Sequence, residues 1–128
     1  MIGYVTLGTN DFARATKFYD ALFGELGAKR VMESDTFIAW GTSPAAPAVS
    51  IIKPFDGKTA TVGNGVMVAL AVDSPKTVQK LHAKALQLGG KDEGAPGPRG
   101  DGGFYAGYFR DLDGNKLNAF CMQAASAG

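Results

Sequence analysis

Histidine, cysteine and glutamate are the residue types that most often bind metals or activate nucleophiles, and this chain contains few of them. It has one histidine, His82, and one cysteine, Cys121. A single histidine in the middle of a predicted helix cannot form a two-histidine metal site, so we predict that His82 is a surface or boundary residue without a catalytic role. Cys121 has no candidate base beside it, and strand alternation points it away from Asn118 and towards a helix, so we predict a small core residue. The three glutamates fall at helix ends, strand ends or loops, at Glu25, Glu33 and Glu93.

Two glycine-containing segments share part of an ion-binding or phosphate-binding motif. Residues 111–115 (DLDGN) begin like a calcium loop, but the positions that should hold the motif's Gly and its final Glu are Lys116 and Met122. We therefore predict a hairpin turn there. Residues 97–103 are rich in glycine but lack the Gly-Lys-Ser/Thr ending of a phosphate-binding loop.

The elements that must position any site begin with a strand–helix pattern. A strand is predicted over residues 2–8, followed by an amphipathic helix with Asn10 and Asp11 as N-cap candidates and Gly24 and Gly27 at its end. Three further strands are predicted at residues 29–33, 36–41 and 48–53.

A similar pattern follows a glycine-containing linker. A strand is predicted over residues 66–72, and a helix begins after Asp73-Ser74-Pro75 and ends at Gly89-Gly90. Residues 94–103 are predicted to be a Gly/Pro-rich loop. Two more strands are predicted at residues 104–110 and 115–122.

The two patterns match in sequence as well as in order. Residues 4–7 (YVTL) match residues 67–70 (MVAL), and residues 26–29 (LGAK) match residues 88–91 (LGGK). An internal repeat of this kind indicates a duplicated architecture, the alternative being chance similarity between two strand–helix units. We predict one domain over residues 1–128, with module one at 1–56, a linker at 57–65, module two at 66–123 and a tail at 124–128.

Composition and charge are those of an ordinary folded domain. Apolar residues make up 45% and charged residues 20% of the 128 positions, and the formal net charge is +1. We therefore predict no nucleic-acid partner and no membrane partner. Because the N-terminal residues lack the order of a signal peptide and the lone cysteine cannot form an internal disulfide, we expect a cytoplasmic protein.

Four segments carry a resemblance that covers essentially the whole chain. They are residues 2–7 (IGYVTL), 18–22 (FYDAL), 68–73 (VALAVD) and 110–117 (RDLDGNKL). In this order and spacing the chain resembles the glyoxalase/bleomycin resistance protein/dioxygenase superfamily, also called the vicinal oxygen chelate superfamily. The resemblance implies an α+β fold of two tandem βαβββ modules, whose curled mixed sheets surround a shared cavity with the helices outside. It also implies a homodimer, as in many members.

The resemblance further implies where a catalytic metal would be held. Family enzymes use His and Glu side chains on four strands, and these positions fall on Tyr4, Met67, Asn118 and either Ser50 or Ile51. Hard divalent ions favour imidazole and carboxylate ligands, which none of these residues supplies. We therefore predict no metal and no cofactor.

Strand alternation indicates which side chains would line the cavity. Arg99 lies in the predicted loop, where it could act on a lid and pair with a ligand carboxylate or phosphate, or be a solvated loop residue. The alternative for Tyr4, Met67 and Asn118 is a filled cavity with a Tyr–Asn hydrogen bond. The predicted ligand-binding residues are Tyr4, Thr6, Trp40, Met67, Arg99, Tyr105, Asn118 and Phe120.

Two functions from different classes remain open at this point, beside a purely structural dimer. The first is a metal-free protein that binds a small organic molecule in an aromatic-lined cavity, as in the bleomycin-binding branch, and performs no chemistry. The second is a glyoxalase-like lyase or isomerase that uses an unusual metal or uses Tyr4 as general acid/base. Tyrosine has a reference pKa of about 10, so Tyr4 would need a cation such as Lys53 or Arg99 nearby.

Overall fold

The computed structural model describes residues 1–123, and these residues fold into two units. The first unit comprises residues 1–65 together with residues 112–115, and the second comprises residues 66–111 and the chain from residue 116 onward. The tail predicted at residues 124–128 lies outside the described residues. Within the described range, no helix is long and apolar enough to cross a membrane.

The first unit contains one helix and one four-stranded mixed sheet. Strand β1 pairs in parallel with β4, and β4, β3 and β2 follow as antiparallel neighbours, giving the order β1-β4-β3-β2. The elements are β1 (Tyr4–Gly8), α1 (Phe12–Gly24), β2 (Lys29–Glu33), β3 (Phe37–Gly41) and β4 (Ala48–Ile52).

Helix α1 forms because its ends are capped and one face is apolar. The Asp11 side chain accepts a hydrogen bond from the backbone N–H of Arg14 at 3.0 Å, as expected of an N-cap. After the helix, Gly27 adopts a left-handed φ of 72°, which glycine tolerates best. The residues that the helix buries recur every three or four positions, at Ala15, Phe18, Tyr19, Leu22 and Phe23.

The second unit repeats the same order of elements. Its sheet has the order β5-β8-β7-β6, with β5 parallel to β8 and the other pairs antiparallel. The elements are β5 (Val68–Ala71), α2 (Pro75–Gln87), β6 (Lys91–Pro98), β7 (Phe104–Arg110) and β8 (Lys116–Met122). Two successive βαβββ modules confirm the predicted α+β fold class, and neither sheet closes on itself.

Helix α2 corrects the prediction made for His82. This side chain is only 5% exposed, and it joins Val78, Leu81 and Ala85 on the buried face of the helix. Its Nε2 atom lies 3.1 Å from Asp92 Oδ1 and 3.2 Å from the Tyr108 carbonyl oxygen, so the imidazole is buried with hydrogen-bond partners.

Gly107 makes the space for this imidazole. A Cβ atom at Gly107 would lie 3.2 Å from His82 Cδ2 and 3.1 Å from Pro96 Cγ. Any larger residue would push these groups apart, so the glycine and the buried histidine are packed as a pair.

The loop predicted at residues 94–103 is wrong over its first half. Residues 94–98 belong to β6, which pairs with β7 through two register shifts, between Asp92 and Gly94 and between Gly94 and Gly97. Because β6 is an edge strand with these irregularities, its glycines and prolines can be accommodated in a sheet.

The turn predicted at residues 111–115 is confirmed as the connection between β7 and β8. Its residues 112–115 belong to the first unit, where Asp113 Oδ1 accepts a hydrogen bond from the Asn10 backbone N–H at 2.9 Å. The Asn115 side-chain amide donates to the Gly8 carbonyl at 3.0 Å. The polar residues of this segment therefore hold the turn in place.

Candidate functional site

Trp40 lies on the face of the first sheet that helix α1 covers. It is 2% exposed, and its ring centroid lies 5.7 Å from that of Tyr19 and 5.9 Å from that of Phe23. Its indole N–H donates to Asp20 Oδ1 at 2.9 Å. The structure therefore places Trp40 in the helix-facing core, on the opposite face from Tyr4 and Thr6.

Tyr4 and Thr6 share the other face of this sheet, which we call the distal face of the first sheet. Tyr4 is 56% exposed, and its ring lies 5.9 Å from that of Phe37 in an edge-to-face arrangement. Register pairs Thr6 with Ser50, whereas Ile51 pairs with Leu7 on the helix-facing side. The residue of β4 that shares the distal face is therefore Ser50.

Ser50 has its hydrogen-bonding capacity used within the sheet. Its side chain is fully buried, and its Oγ lies 2.8 Å from the Val5 carbonyl oxygen and 2.9 Å from Thr6 Oγ1. The Ser50 hydroxyl is thus paired with its neighbours and not directed at a ligand.

A small cleft opens beside Tyr4 in the first unit. Its volume is about 150 Å³, and the residues that line it are apolar apart from Tyr4. Ligand pockets usually have volumes of roughly 300–1,000 Å³, so this cleft accommodates a small apolar group and not a whole ligand. It is lined by Gly3, Tyr4, Val31, Met32, Pro44, Ala46 and Ala48.

Tyr105 lies on the helix-facing side of the second sheet. Its hydroxyl accepts a hydrogen bond from Gln79 Nε2 of α2 at 2.8 Å. Its register partner Cys121 is buried, which agrees with the predicted core position for the cysteine. Tyr105 therefore does not share a face with Asn118 and Phe120.

The opposite side of the second sheet, which we call the distal face of the second sheet, carries Tyr108, Lys116, Asn118 and Phe120. Register pairs Asn118 with Tyr108 on one side and with Ala69 on the other. Phe120 stacks on Phe104 with ring centroids 5.4 Å apart. Two predicted site residues, Asn118 and Phe120, are thus brought together beside aromatic rings.

Asn118 is the least satisfied polar residue on this face. Its side chain is 1% exposed, and among the described residues nothing donates a hydrogen bond to its Oδ1 atom. Such a group gives up its hydration without replacing it, which costs about 1–3 kcal/mol.

Met67 and Arg99 occupy positions that differ from the predicted ones. Met67 is 39% exposed and precedes β5, because the strand begins at Val68. Arg99 directly follows β6, and its guanidinium donates to the carbonyls of Ala95 at 2.7 Å and Gly97 at 2.9 Å. Because these bonds hold Arg99 to its own strand, the side chain is anchored and is not carried by a free loop.

The residues at the metal-ligand positions do not fit a divalent ion. Tyr4 and Met67 are exposed, the Ser50 hydroxyl is paired within its sheet, and Asn118 offers a neutral amide. Over residues 1–123, no group of three or more His, Cys, Asp or Glu side chains could hold a metal ion. This donor set lacks the imidazoles and carboxylates that divalent ions require.

Two residues on the distal face of the second sheet, Tyr108 and Lys116, are not among the ligand-binding residues predicted from the sequence. Tyr108 and Lys116 follow from the hairpin itself, because a symmetric turn at residues 111–115 pairs Arg110 with Lys116 and Tyr108 with Asn118. Strand alternation then places Tyr105 and Tyr108 on opposite faces, since their positions differ by three, an odd number. That signal was available in the sequence.

Comparison with family models and comparison with solved structures both point to the same protein family. Residues 1–119 match the family model of the glyoxalase/bleomycin resistance protein/dioxygenase superfamily. A glyoxalase/bleomycin resistance protein from Albidiferax ferrireducens T118 is 36% identical, with a TM-score of 0.87 over 96% of this chain and 99% of that one. No match was found among curated proteins.

More distant structures share the fold. A glyoxalase/bleomycin resistance protein/dioxygenase family enzyme from Burkholderia phytofirmans PsJN is 17% identical, with a TM-score of 0.74 over 94% of this chain and 98% of that one. A hypothetical protein from S. aureus is 24% identical, with a TM-score of 0.73 over 94% of this chain and 92% of that one. The match to the family model over residues 1–119 and the 36% identical relative show that this chain belongs to the glyoxalase/bleomycin resistance protein/dioxygenase superfamily.

Proposed function

We propose that this protein binds a small organic molecule without a metal ion, and that the ligand contacts the distal face of the second sheet. The observation that carries the proposal is Asn118 Oδ1, a buried acceptor that no described residue satisfies. Proteins leave few buried polar atoms unpaired, so this oxygen needs an explanation. A hydrogen-bond donor on a ligand would supply the missing partner.

The neighbours of Asn118 support a ligand over a purely structural role. Leu117 and Ala119, on either side of it in β8, are fully buried apolar residues that pack well without polar atoms. An amide at the intervening position costs stability unless a partner arrives. Fold stability alone therefore gives no reason for asparagine at position 118.

Aromatic side chains supply the apolar part of the proposed site. Tyr108 is the register partner of Asn118, and the stacked pair of Phe104 and Phe120 lies further along the same face. Ligand sites are typically apolar with a few polar groups that fix orientation. The distal face of the second sheet has this composition.

The structure gives no support to the alternative of a lyase or isomerase that uses Tyr4 as its acid/base. Of the two cations considered as partners for Tyr4, Lys53 lies in the first unit with its Nζ over the Phe12 ring, 5.5 Å from the centroid. The Arg99 guanidinium donates hydrogen bonds to the backbone carbonyls of Gly97 and Ala95. Both side chains thus have partners within their own units.

The proposal includes a homodimer acting in the cytoplasm. Association is supported by exposed apolar side chains of the first unit, among them Ile2, Met32 and Phe55. Light scattering on the purified protein should give the mass of two chains. A mass of one chain at micromolar concentration would remove this part of the proposal.

The test is a screen of small organic compounds by two-dimensional NMR on protein treated with EDTA. Binding should shift backbone resonances of β7 and β8 together with the Asn118 side-chain amide, and Asn118→Leu should abolish these shifts. Asn64→Leu, at an exposed position in the linker, is the matched control and should leave them unchanged. Compounds that bind only after zinc, nickel or manganese is added would contradict the proposal, as would a screen in which no distal-face resonance moves.

A further inference from the structure

Two cations contact the ring of Tyr108. Lys116 Nζ lies 5.5 Å from the ring centroid, and Arg99 Cζ lies 5.4 Å from it. Lys116 belongs to β8 and Arg99 follows β6, so the cations reach Tyr108 from the two strands that flank β7. Cation–π contacts of this kind hold the charged groups near the aromatic surface.

Basic residues outnumber carboxylates along this row of side chains. Register places Lys91 beside Arg110 and Arg110 beside Lys116. The carboxylate in the row is Glu93, which accepts a hydrogen bond from Arg110 Nε at 2.8 Å. Three basic residues, Lys91, Arg110 and Lys116, thus lie beside Glu93, which is already paired with Arg110.

The ionisation of Glu93 reflects this positive field. The hydrogen bond from Arg110 is the main reason why the pKa of Glu93 lies below its usual range, although partial burial acts in the opposite direction. The positive charges of Lys91 and Lys116 lower the pKa further. Positive potential therefore extends along the distal face from β6 to β8.

Lys116 and Arg99 each retain N–H groups that could donate hydrogen bonds to an anionic ligand. Within residues 1–123, neither makes an ion pair with a carboxylate. The bonds from Arg99 to the carbonyls of Ala95, Gly97 and Pro98 use only part of its five N–H groups. The Lys116 ammonium has three N–H groups and lies two residues from Asn118 on the same face.

We infer that the distal face of the second sheet recognises a carboxylate, so that the ligand is a small organic acid that also carries a hydrogen-bond donor. The carboxylate is held by Lys116 and Arg99 beside the Tyr108 ring, and the donor is accepted by Asn118 Oδ1. This inference rests on the proposed function, since it names the class of ligand for the same site.

The experiment compares organic acids with their neutral amides on EDTA-treated protein. The probes are benzoate with benzamide, and para-hydroxybenzoate with para-hydroxybenzamide, each titrated while the resonances of β7 and β8 are followed. Each acid should bind about tenfold more tightly than its amide, the size expected of one charge-assisted contact. High salt should reduce this preference, because mobile ions screen partly exposed charges. Para-hydroxybenzoate should also bind more tightly than benzoate.

Lys116→Met tests the residue itself, because methionine keeps much of the apolar stem and removes the charge. It should abolish the preference for acids while leaving the binding of the amides within twofold. Lys58→Met, which makes the same change in net charge at an exposed position of the first unit, is the matched control and should keep the preference.

The possible results distinguish a failure of the carboxylate inference from a failure of the proposed function. Amides that bind the distal face as tightly as the acids would overturn the inference and leave the proposed function standing. An acid preference that survives in Lys116→Met and Arg99→Gln would also overturn it. Acids and amides that both fail to move any distal-face resonance at their solubility limits would contradict both.

Discussion

The distal faces of the two sheets differ in whether their buried polar side chains have hydrogen-bond partners. On the first sheet, Ser50 and Thr6 lie 2.9 Å apart and use their hydroxyls on each other and on the backbone. On the second sheet, Asn118 is equally buried but its Oδ1 has no partner among the described residues. Both Ser50 and Asn118 occupy positions at which the family's enzymes are expected to hold a metal. The Ser50 hydroxyl therefore contributes to the fold, whereas the unpaired Asn118 Oδ1 is the observation on which the proposed ligand site rests.

The largest expected effect concerns Trp40. The sequence predicts that it lines a ligand cavity, whereas in the structure it lies in the helix-facing core. Trp40→Ala should lower the free energy of unfolding by about 3–5 kcal/mol, because a large buried ring is lost. Tyr4→Ala, at an exposed aromatic of the distal face, should cost less than about 1 kcal/mol. Denaturant unfolding of both variants checks this, and equal losses would contradict the placement of Trp40.

The comparison itself is tested by substitutions with opposite expected signs. Ser50→Ala should lower the free energy of unfolding by about 1 kcal/mol, because it removes a buried hydrogen bond. Asn118→Leu should raise the free energy by up to about 2 kcal/mol, because it removes an unpaired acceptor at little change in volume. Thermal and denaturant unfolding would measure both. A clear loss of stability in Asn118→Leu would show that Asn118 is structural.

A smaller effect is expected at Tyr105, whose side chain faces helix α2 and does not lie on the distal face of the second sheet. Tyr105→Phe removes the hydrogen bond with Gln79 and should lower the free energy of unfolding by about 0.5–1 kcal/mol. Ligand-induced shifts on the distal face should be unchanged, since this hydroxyl faces α2. A loss of those shifts in Tyr105→Phe would contradict the assignment of faces.

The smallest expected effect is a pH dependence from the first unit. The hydrogen bond from Arg30 is the main cause that lowers the pKa of Asp20, and the indole of Trp40 acts in the same direction. Because the folded-state pKa is the lower one, this stabilisation is present above the unfolded value of about 4 and is lost as the pH falls through the folded value. Asp20→Asn should flatten the acid limb of the stability profile, whereas Asp35→Asn, at an exposed turn, should not. Parallel profiles for wild type and Asp20→Asn would refute this.

Much of the fold could be predicted because it follows from local patterns. Apolar spacing, the N-caps and the repeated segments identified both helices and seven of the eight described strands. Strand β6 escaped because its Gly/Pro-rich sequence is typical of a loop, and only its position at a bulged sheet edge makes it a strand.

The site could be predicted in part. Alternation along β1 and β8 correctly separated the two faces, with Leu7 and Leu117 buried beneath the helices and Tyr4 on the opposite side from Leu7. Trp40 and Tyr105 are predicted as ligand-binding residues from their aromatic type, and strand register is needed to show that both face the helices. The burial of His82 depends on Gly107 and Asp92, which lie distant in the sequence and are brought close only by the fold.

Whether this protein works without a metal ion can be decided by titrating EDTA-treated protein with nickel, zinc and manganese and monitoring the titration by calorimetry and two-dimensional NMR. We expect no stoichiometric, tight binding of any of the three ions, since the family's metal positions hold hydroxyl, thioether and amide groups. About one ion bound per chain, with the Tyr4 or Asn118 resonances shifted, would contradict this expectation.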